Sequence, residues 1–276
     1  MVHPYYEKGD FKLIKGDSID ILEKLPEDSV DVIFADPPYF LSNDGVTCKS
    51  GEMVSVNKGK WDKSDGFQKD YEFTRMWIQK CKKVLKKDGT IWISGTLHVI
   101  FKVGCILEEL NYKILNDIIW FKPNAPPNLA CRYFTHSHET IIWARHSPEA
   151  KHKFNYQSMK TWDVSNDLIN KQGKQMRSVW SIPLTPQTEK EHGRHPTQKP
   201  LELLMRIVAA SSDEGDLVLD PFNGSGTTGI AATLLNRKYI GIELDQSYLD
   251  LTIKRHKAAL QEKATAKTIR SLDAFI

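Results

Sequence analysis

A short apolar run that ends in an acid and two prolines constrains the fold of this chain more than any other feature. Residues 30–35 read Val-Asp-Val-Ile-Phe-Ala, and Asp36, Pro37, Pro38 and Tyr39 follow directly. Runs of this kind are typical of strands buried on both faces of a parallel sheet. The prolines cannot continue a central strand because they have no N–H to donate. Asp36 is therefore predicted at the carboxyl edge of a sheet, where open α/β folds bind their ligands.

The segment from Asp36 to Tyr39 combines a carboxylate, two rigid carbonyl groups and an aromatic ring. Such a set can hold a planar heterocycle that carries an exocyclic amine. The amine would donate its hydrogens to Asp36 and to the Pro37 carbonyl, and the heterocycle would stack on Tyr39. The structural alternative is a strand that ends in a proline turn, with Asp36 as a solvated cap.

Helical and extended patterns alternate along the rest of the chain. This alternation predicts a doubly wound α/β sheet with parallel strands. At the first turn after the strand at 11–14, Asp17 or Ser18 is expected to cap a helix over 19–25. Residues 40–68 are rich in Gly and Lys and have no clear period, which is typical of a lid, a binding arm or a disordered surface loop.

Composition places the chain among ordinary globular proteins. It has 276 residues, of which 40% are hydrophobic and 26% charged, so a sizeable core is expected. No apolar run approaches a membrane span, and the first 20 residues lack the apolar core of a signal peptide, which predicts a cytoplasmic location. The four cysteines have no C-x-x-C spacing and are interpreted as reduced thiols.

The middle of the chain is basic and rich in prolines. Residues 124–194 carry ten Lys and Arg against six Asp and Glu, whereas the whole chain has a net charge of only +3. This distribution favours a polyanionic partner, although a solvated basic surface is the commoner explanation of so small an excess. We interpret residues 122–194 as an inserted recognition region between the two halves of one core, 1–121, which contains the catalytic candidate Asp36, and 195–276, which contains the candidate cofactor site described next.

A second candidate site follows the predicted strand at 217–219. Asp220-Pro-Phe-Asn-Gly-Ser-Gly leads into a helix, and Glu243 comes 20 residues after Asn223, the interval at which an acid contacts a ribose. The loop is neither G-x-G-x-x-G nor a P-loop, so a pyrophosphate cradle is not expected. S-adenosylmethionine suits the loop better, because it has ribose hydroxyls for Glu243 and an amino group for Asp220. A tight βα connection without a ligand is the alternative.

Three motifs, in this order, resemble those of the β class of amino-methylating DNA methyltransferases. They are Asp36-Pro-Pro-Tyr, His195-Pro-Thr-Gln-Lys-Pro and Asp220-Pro-Phe-Asn-Gly-Ser-Gly-Thr-Thr. The stretches Cys131-Arg-Tyr-Phe-Thr-His-Ser, Glu139-Thr-Ile-Ile-Trp-Ala and Gly173-Lys-Gln-Met further resemble the second adenine methylases of DpnII-type restriction systems, which act at GATC and accept single strands.

The resemblance implies a methyltransferase fold with a seven-stranded, mostly parallel sheet in circularly permuted order. In that order the strands at 11–14 and near Ile240 are neighbours. The implied cofactor is S-adenosylmethionine and the implied substrate is DNA, double-stranded and in some cases single-stranded. A homodimer and a cognate restriction endonuclease are also expected as partners.

The resemblance also implies roles for individual residues. Asp17 would contact the cofactor adenine, Glu243 the ribose hydroxyls, and Thr197 and Lys199 the cofactor carboxylate. The loop residues would surround the methionine and ribose parts; they are Asp220, Phe222, Asn223, Gly224, Ser225, Gly226 and Thr227. Asp36, Pro37, Pro38 and Tyr39 would form the catalytic motif, and no metal site is predicted.

In this hypothesis the two hydrogen bonds from the N6 amine of adenine to Asp36 and Pro37 localise the nitrogen lone pair. The base must first leave its stack, which costs a few kcal/mol in a duplex and less in a single strand. Tyr39 on one face, and Trp120 or Phe121 on the other, would offset that cost.

Parts of the sequence are also compatible with other functions. A cytosine C5 methylase needs a nucleophilic cysteine, typically after a proline, and none of the four cysteines follows one. A cytosine N4 methylase would use the same geometry, usually with Ser in place of Asp36. Methylation of RNA or of a protein amide, a DNA-binding regulator with an inactive pocket, and a metal enzyme built on His136 and His138 are the remaining alternatives.

Overall fold

The computed structural model describes residues 2–41, 46–49, 52–55, 62–128 and 131–273, and for 46–49, 52–55 and 266–273 it describes the backbone only. The strands are β1 (Tyr6–Lys8), β2 (Phe11–Lys15), β3 (Val30–Ala35), β4 (Val46–Lys49), β5 (Glu52–Ser55), β6 (Leu85–Gly95), β7 (Lys113–Phe121), β8 (His138–Arg145), β9 (Val179–Ser181), β10 (Leu217–Asp220) and β11 (Lys238–Glu243). The helices are α1 (Ser18–Leu22), α2 (Phe67–Val84), α3 (Ile100–Glu109), α4 (Tyr156–Lys160), α5 (Leu201–Ser211), α6 (Thr227–Leu234) and α7 (Gln246–Asp273).

One mixed sheet of nine strands organises the described chain, in the order β1-β2-β11-β10-β3-β6-β8-β7-β9. Strands β2, β11, β10, β3 and β6 are parallel to one another, which confirms the predicted α/β class and the mostly parallel centre. The expected count of seven strands is wrong. The two edge strands, β1 and β9, have only three residues each, too few to show a periodic pattern in the sequence.

The order of the sheet confirms the expected permutation. Ile240 of β11 pairs with Lys12 of β2, so strands from the two ends of the chain are hydrogen-bonded neighbours. Strand β10 pairs on its other side with β3, where Leu219 lies opposite Ile33. The strand that precedes Asp36 and the strand that ends in Asp220 are therefore adjacent.

Strand β3 is buried on both faces, as the continuous apolar run predicts. Val32 and Phe34 pack into a core that includes residues of α5, α6 and α7. Ile33 and Ala35 pack into a second core, which includes residues of α1, α2 and α3. Helices on both faces of a parallel sheet leave its carboxyl edge as the natural place for a ligand.

The segment 122–194 contributes directly to this sheet. Strand β8 lies between β6 and β7 and pairs antiparallel with both. Arg206 of α5 forms a fully buried ion pair with Asp167, with 2.9 Å between Nη1 and Oδ2, which ties the segment to the core. The predicted domain boundaries stay a prediction, and two strands of the region proposed as an insertion belong to the central sheet.

Two further expectations concern side chains and loops. Cys81, Cys105 and Cys131 are free thiols, and the side chain of Cys48 lies outside the described residues. The segment 40–68, predicted as a lid, a binding arm or a surface loop, lies partly outside them: residues 40–41 and 62–68 are described in full, and the β4–β5 hairpin is described as backbone only. None of the helices described has the length and apolar character of a membrane span.

Candidate active site

A cavity of about 850 Å³ lies at the carboxyl edge of the sheet. Its lining includes the acids at the ends of three strands: Asp36 after β3, Asp220 at the end of β10 and Glu243 at the end of β11. The two candidate sites of the sequence are therefore the two ends of one cavity. We refer to the part around Asp36 as the catalytic end and to the part around Asp220 and Glu243 as the cofactor end.

Hydrogen-bond donors surround Asp36 at the catalytic end. The hydroxyl groups of Tyr39 and Ser94 both donate to Oδ1, each at 2.6 Å. Lys199 donates from Nζ to Oδ2 at 2.5 Å. The carboxylate is therefore the paired member of a polar cluster, and the alternative of a solvated cap at the end of a strand is wrong.

Tyr39 is packed inside the protein. Its side chain is only 5% exposed, and burial, together with the charges of Asp36 and Glu139, raises the pKa of its hydroxyl well above the usual value. The hydroxyl is therefore a proton donor at any physiological pH. Stacking of a base on this ring stays a prediction, because most of the ring is covered by protein here.

Trp120 does not provide the second stacking surface that the sequence suggested. It is 2% exposed, and its indole N–H donates to the carbonyl oxygen of Ile182 at 2.7 Å. The side chain is thus part of the core beneath the site. The sequence around Trp120 does not show that this side chain is buried, because a strand residue that faces a cavity and one that faces the core occur in the same apolar pattern.

Asp62 fixes the backbone that follows the two prolines. Its fully buried carboxylate accepts hydrogen bonds from the backbone N–H groups of Tyr39 and Phe40, both at 2.9 Å, and of Leu41 at 3.3 Å. Phe40 has a φ of 58°, a conformation that a bulky residue adopts only when its surroundings impose it. Sequence reasoning missed Asp62 because it lies in a segment without periodicity.

A second buried carboxylate, Glu139 of β8, completes the catalytic end. Its Oε1 accepts from Lys122 Nζ at 2.5 Å, and its Oε2 lies 3.1 Å from the Tyr39 hydroxyl and 3.6 Å from Lys199 Nζ. Burial by itself would raise the pKa of Glu139. The charges of Lys199 and Lys122 outweigh that effect and hold the pKa at about 2, so this group is ionised at neutral pH.

The acids of the cofactor end differ, because only neutral donors bind them. Asp220 accepts from the Phe222 backbone N–H at 3.0 Å and from the Thr228 hydroxyl at 2.6 Å. Burial raises the pKa of Asp220 to about 7. Glu243 accepts from the backbone N–H groups of Gly224 at 2.8 Å and Asp245 at 2.9 Å, and burial raises its pKa also.

The loop between β10 and α6 is held in place by side chains of β11 and α7. Asn223 accepts from the Tyr239 hydroxyl at 2.8 Å and donates to Thr252 Oγ1 at 2.9 Å. Gly226 has a φ of 76°, and a Cβ at this position would lie 2.3 Å from Cγ2 of Thr252. The glycine is required by the turn and by this close approach of α7.

The structure brings most of the predicted residues together. The predicted residues that line the cavity are Asp36, Pro37, Pro38, Tyr39, Thr197, Lys199, Asp220, Phe222, Asn223, Gly224, Ser225, Thr227 and Glu243. Asp17 and Gly226 are not among the lining residues. Asp17 caps α1 by accepting from the Ile19 backbone N–H at 2.8 Å, which confirms the predicted cap, and its contact with a cofactor stays a prediction.

Lys199 lies in the cavity with a partner that the sequence did not suggest. The sequence assigned it to a cofactor carboxylate, whereas its ammonium group is bound to Asp36 in this structure. Other lining residues were not predicted as site residues, among them Asp62, Thr228 and His195. Burial lowers the pKa of His195 to about 4, so its ring is neutral at physiological pH.

The residues of the cofactor end fit S-adenosylmethionine. Among the described residues, neither Asp220 nor Glu243 has a cation within ion-pair distance, so a positively charged ligand with hydroxyl groups would satisfy acids that now lack a counter-charge. A polyphosphate would instead meet two acids. Over the part of the chain that is described, no three His, Cys, Asp or Glu side chains converge to bind a metal ion.

Comparisons with known proteins agree with this arrangement. The model of a DNA methylase family matches residues 30–254. The Type II methyltransferase M2.DpnII of Streptococcus pneumoniae is 52% identical to this chain over 259 residues, which is 94% of each chain. The Type II methyltransferase M2.LlaDCHI of Lactococcus lactis subsp. cremoris is 52% identical over 256 residues, which is 92% of each chain. Among solved structures, the M1.HpyAVI–SAM complex superposes with a TM-score of 0.63 at 25% identity, over 89% of this chain and 98% of that one.

Proposed function

This chain belongs to the DNA methylase family, and from that premise we propose that it methylates the N6 amine of adenine at a specific DNA sequence. It is a DNA methyltransferase whose methyl donor is S-adenosylmethionine. One observation carries the choice of the amine as the acceptor: Asp36, followed by a rigid Pro-Pro backbone, lines the same cavity as the acids of the cofactor end. A carboxylate at this position supports adenine as the substrate, because the cytosine N4 methylases that share these motifs usually have Ser there.

The catalytic end is suited to hold an amine. Asp36 and the carbonyl of Pro37 would accept the two N–H groups of the amine, since both residues line the cavity and the ring of Pro38 restricts the rotation that would turn the Pro37 carbonyl. These hydrogen bonds favour a nitrogen with a localised lone pair. Positioning of the amine provides most of the rate enhancement that the protein has to supply.

The cofactor end would hold S-adenosylmethionine through its acids. Glu243 would accept from the ribose hydroxyls and Asp220 would interact with the amino group, while Phe222 provides an apolar surface held edge-on against Trp77, with 5.3 Å between ring centroids. The bound cofactor supplies an electrophilic methyl group. The brace of Asn223, Tyr239 and Thr252 keeps the loop in position for this ligand.

We further propose that the segment 122–194 contacts the DNA. The loop between β7 and β8 begins at Lys122 and ends next to Glu139, both of which belong to the catalytic end. It presents two large aromatic side chains to solvent, with Phe134 97% exposed and Tyr133 61% exposed. Exposed aromatic side chains beside basic residues can stack on bases while the cations contact phosphates. GATC as the target rests on the motif resemblance described above.

Sequencing of DNA with detection of modified bases tests the proposed function. DNA from cells that lack other adenine methylases and express the wild-type chain is expected to carry N6-methyladenine at one short sequence. Cells that express Asp36→Ala provide the background. N4-methylcytosine in place of N6-methyladenine would establish methylation of cytosine N4 instead, and unmodified DNA from cells with abundant folded protein would contradict both functions.

Partners and location complete the proposal. We propose a cytoplasmic enzyme that acts on duplex and single-stranded DNA, assembles as a homodimer and protects the sites of a cognate restriction endonuclease. Light scattering of the purified chain tests the dimer. The proposed protection is tested by treating DNA with this enzyme and then digesting it with restriction endonucleases of known target sequence. Resistance to one of them identifies the protected site.

A further inference from the structure

The catalytic carboxylate is crowded by donors that do not belong to a substrate. The Tyr39 hydroxyl, the Ser94 hydroxyl and the Lys199 ammonium group occupy three of the roughly four acceptor positions of an ionised carboxylate. The side chain of Asp36 is only 16% exposed. An incoming amine therefore gains a strong hydrogen bond to Asp36 only if donors already present give way, because the neighbouring ammonium neutralises the charge that makes such a bond strong.

Two of these three donors have a second carboxylate within reach. Oε2 of Glu139 lies 3.1 Å from the Tyr39 hydroxyl and 3.6 Å from Lys199 Nζ. The hydroxyl has a single hydrogen, so Tyr39 cannot donate fully to Asp36 and Glu139 at the same time. Its donor bond to Asp36 is the shorter of the two, at 2.6 Å. The proton of Tyr39 and the charge of Lys199 are thus shared unequally between two acids.

Glu139 is built to receive these donors. It lies on β8, which pairs with β6 next to β3, so its position is fixed by the sheet. Lys122 binds its other oxygen, Oε1, at 2.5 Å and thereby leaves Oε2 directed toward Tyr39 and Lys199. The side chains of Lys122 and Glu139 are each 12% exposed, so water supplies little of their solvation.

We propose that Glu139 is a positioning residue for methyl transfer, which takes over the Tyr39 hydroxyl and the Lys199 ammonium when the target amine binds Asp36. Without Glu139, displacement from Asp36 would leave a buried ammonium without a counter-charge, which is strongly unfavourable. With Glu139, both donors exchange one carboxylate for another that already lies within 3.6 Å of them. The inference rests on the proposed function, because it requires an amine as the group that binds Asp36.

The variant Glu139→Gln tests the proposal, since it keeps the shape of the side chain and removes its charge. We expect kcat for DNA methylation to fall on the order of 10-fold to 100-fold, the effect of losing one charged hydrogen-bond partner, while the Kd for S-adenosylmethionine stays within about threefold of the wild-type value. Asp31→Asn is the matched control. Asp31 also has a partly buried ion pair, with Lys86 at 2.6 Å, but it lies at the opposite end of β3, and this variant is expected to keep the wild-type kcat.

The double variant Lys122→Met with Glu139→Gln separates positioning from simple ion pairing. If Glu139 only neutralises Lys122, removal of both partners restores the rate. We expect it to restore thermal stability and leave kcat low, because Tyr39 and Lys199 still lack a second acceptor that carries a negative charge. Wild-type kcat in Glu139→Gln, or in the double variant, would overturn the inference while leaving the proposed function intact. A wild-type chain that methylates no DNA amine would overturn the proposed function first and this inference with it.

Discussion

Each end of the cavity contains an acid at the end of a parallel strand, but only one of the two acids has a positively charged partner. Asp36 follows β3 and Asp220 ends β10, and these strands are adjacent in the sheet. At the catalytic end Asp36 has an ammonium partner, Lys199, whereas at the cofactor end Asp220 is bound only by neutral donors and burial raises its pKa to about 7. The difference separates two tasks. At the first end two acids, Asp36 and Glu139, are matched by two ammonium groups, so this end as a whole suits a neutral amine. The acids of the second end lack a counter-charge and suit a cation.

Removal of the paired acid is expected to have the largest effect on the enzyme. Asp36→Ala should lower the rate of methyl transfer by at least about 10³-fold, because the amine loses the acceptor that positions it. The Kd for S-adenosylmethionine should change little, since the acids of the cofactor end are unaltered. Filter-binding assays with labelled cofactor and isothermal titration measure the two quantities. A variant that retains a tenth of the wild-type rate would mean that the catalytic end has been misassigned.

Alteration of the glycine loop should weaken the cofactor end and the stability of the fold, without a direct effect on the residues of the catalytic end. Gly226→Ala places a Cβ 2.3 Å from Cγ2 of Thr252, whose hydroxyl is held by Asn223 and cannot turn away without loss of that bond. Strain at positive φ and overlap together should lower the free energy of unfolding by roughly 2 to 6 kcal/mol and weaken cofactor binding. Chemical denaturation measures the first effect.

Gly173→Ala is the control for Gly226→Ala. Gly173 has nearly the same φ, 78°, and nothing lies within 4 Å of its Cβ position. Its substitution should cost only the strain of the left-handed conformation, about 1 to 2 kcal/mol. Equal losses in the two variants would show that the contact with α7 is unimportant.

The third prediction concerns the backbone of the catalytic end. Asp62→Ala removes the acceptor for three backbone N–H groups, those of Tyr39, Phe40 and Leu41. The motif should lose its fixed position, and kcat should fall by about 10-fold to 100-fold, the cost of leaving buried donors unpaired. Asp62→Asn keeps one acceptor oxygen, so its kcat should lie between those of the wild type and of Asp62→Ala. If steady-state kinetics show the Ala variant to be as fast as the wild type, the prolines alone position Asp36.

The smallest expected effect is a pH dependence of cofactor binding. The pKa of Asp220 is about 7 in the folded protein against the usual 3.8, so the carboxyl is protonated below about pH 7 and attracts a cation only above it. Affinity for S-adenosylmethionine should therefore rise with pH between about 6 and 8, by at most about tenfold per pH unit below 7. Isothermal titration over this range measures it, and Asp220→Asn should flatten the slope.

The raised pKa of Asp220 has the opposite effect on the stability of the ligand-free protein, which decreases as the pH rises. The folded state holds the Asp220 proton up to about pH 7, whereas the unfolded state releases it near 3.8. The contribution of Asp220 to the free energy of unfolding therefore decreases as pH rises through that window. Urea unfolding of wild type and Asp220→Asn at several pH values checks the sign. A wild-type curve parallel to that of the variant would show that Asp220 is ionised throughout.

Local patterns in the sequence were sufficient for most of the architecture. The apolar run of β3, the alternation of helices and strands and the cap of Asp17 are all decided by neighbours in the chain. The edge strands β1 and β9 were missed because three residues carry no period, and they are held by their partners in the sheet. Within the catalytic end, the sequence also missed Asp62, Ser94 and Glu139.

By itself the sequence determined that three acids, Asp36, Asp220 and Glu243, would meet at one edge of a parallel sheet, because strand ends can be located from hydrophobicity and prolines. Only the tertiary structure decided which acid has a counter-charge. Lys199 is 163 residues from Asp36 in the chain, and Glu139 is 100 residues from Tyr39. The charge state of a buried carboxyl depends on such distant groups and on the water that packing excludes, and neither is written in the residues beside it.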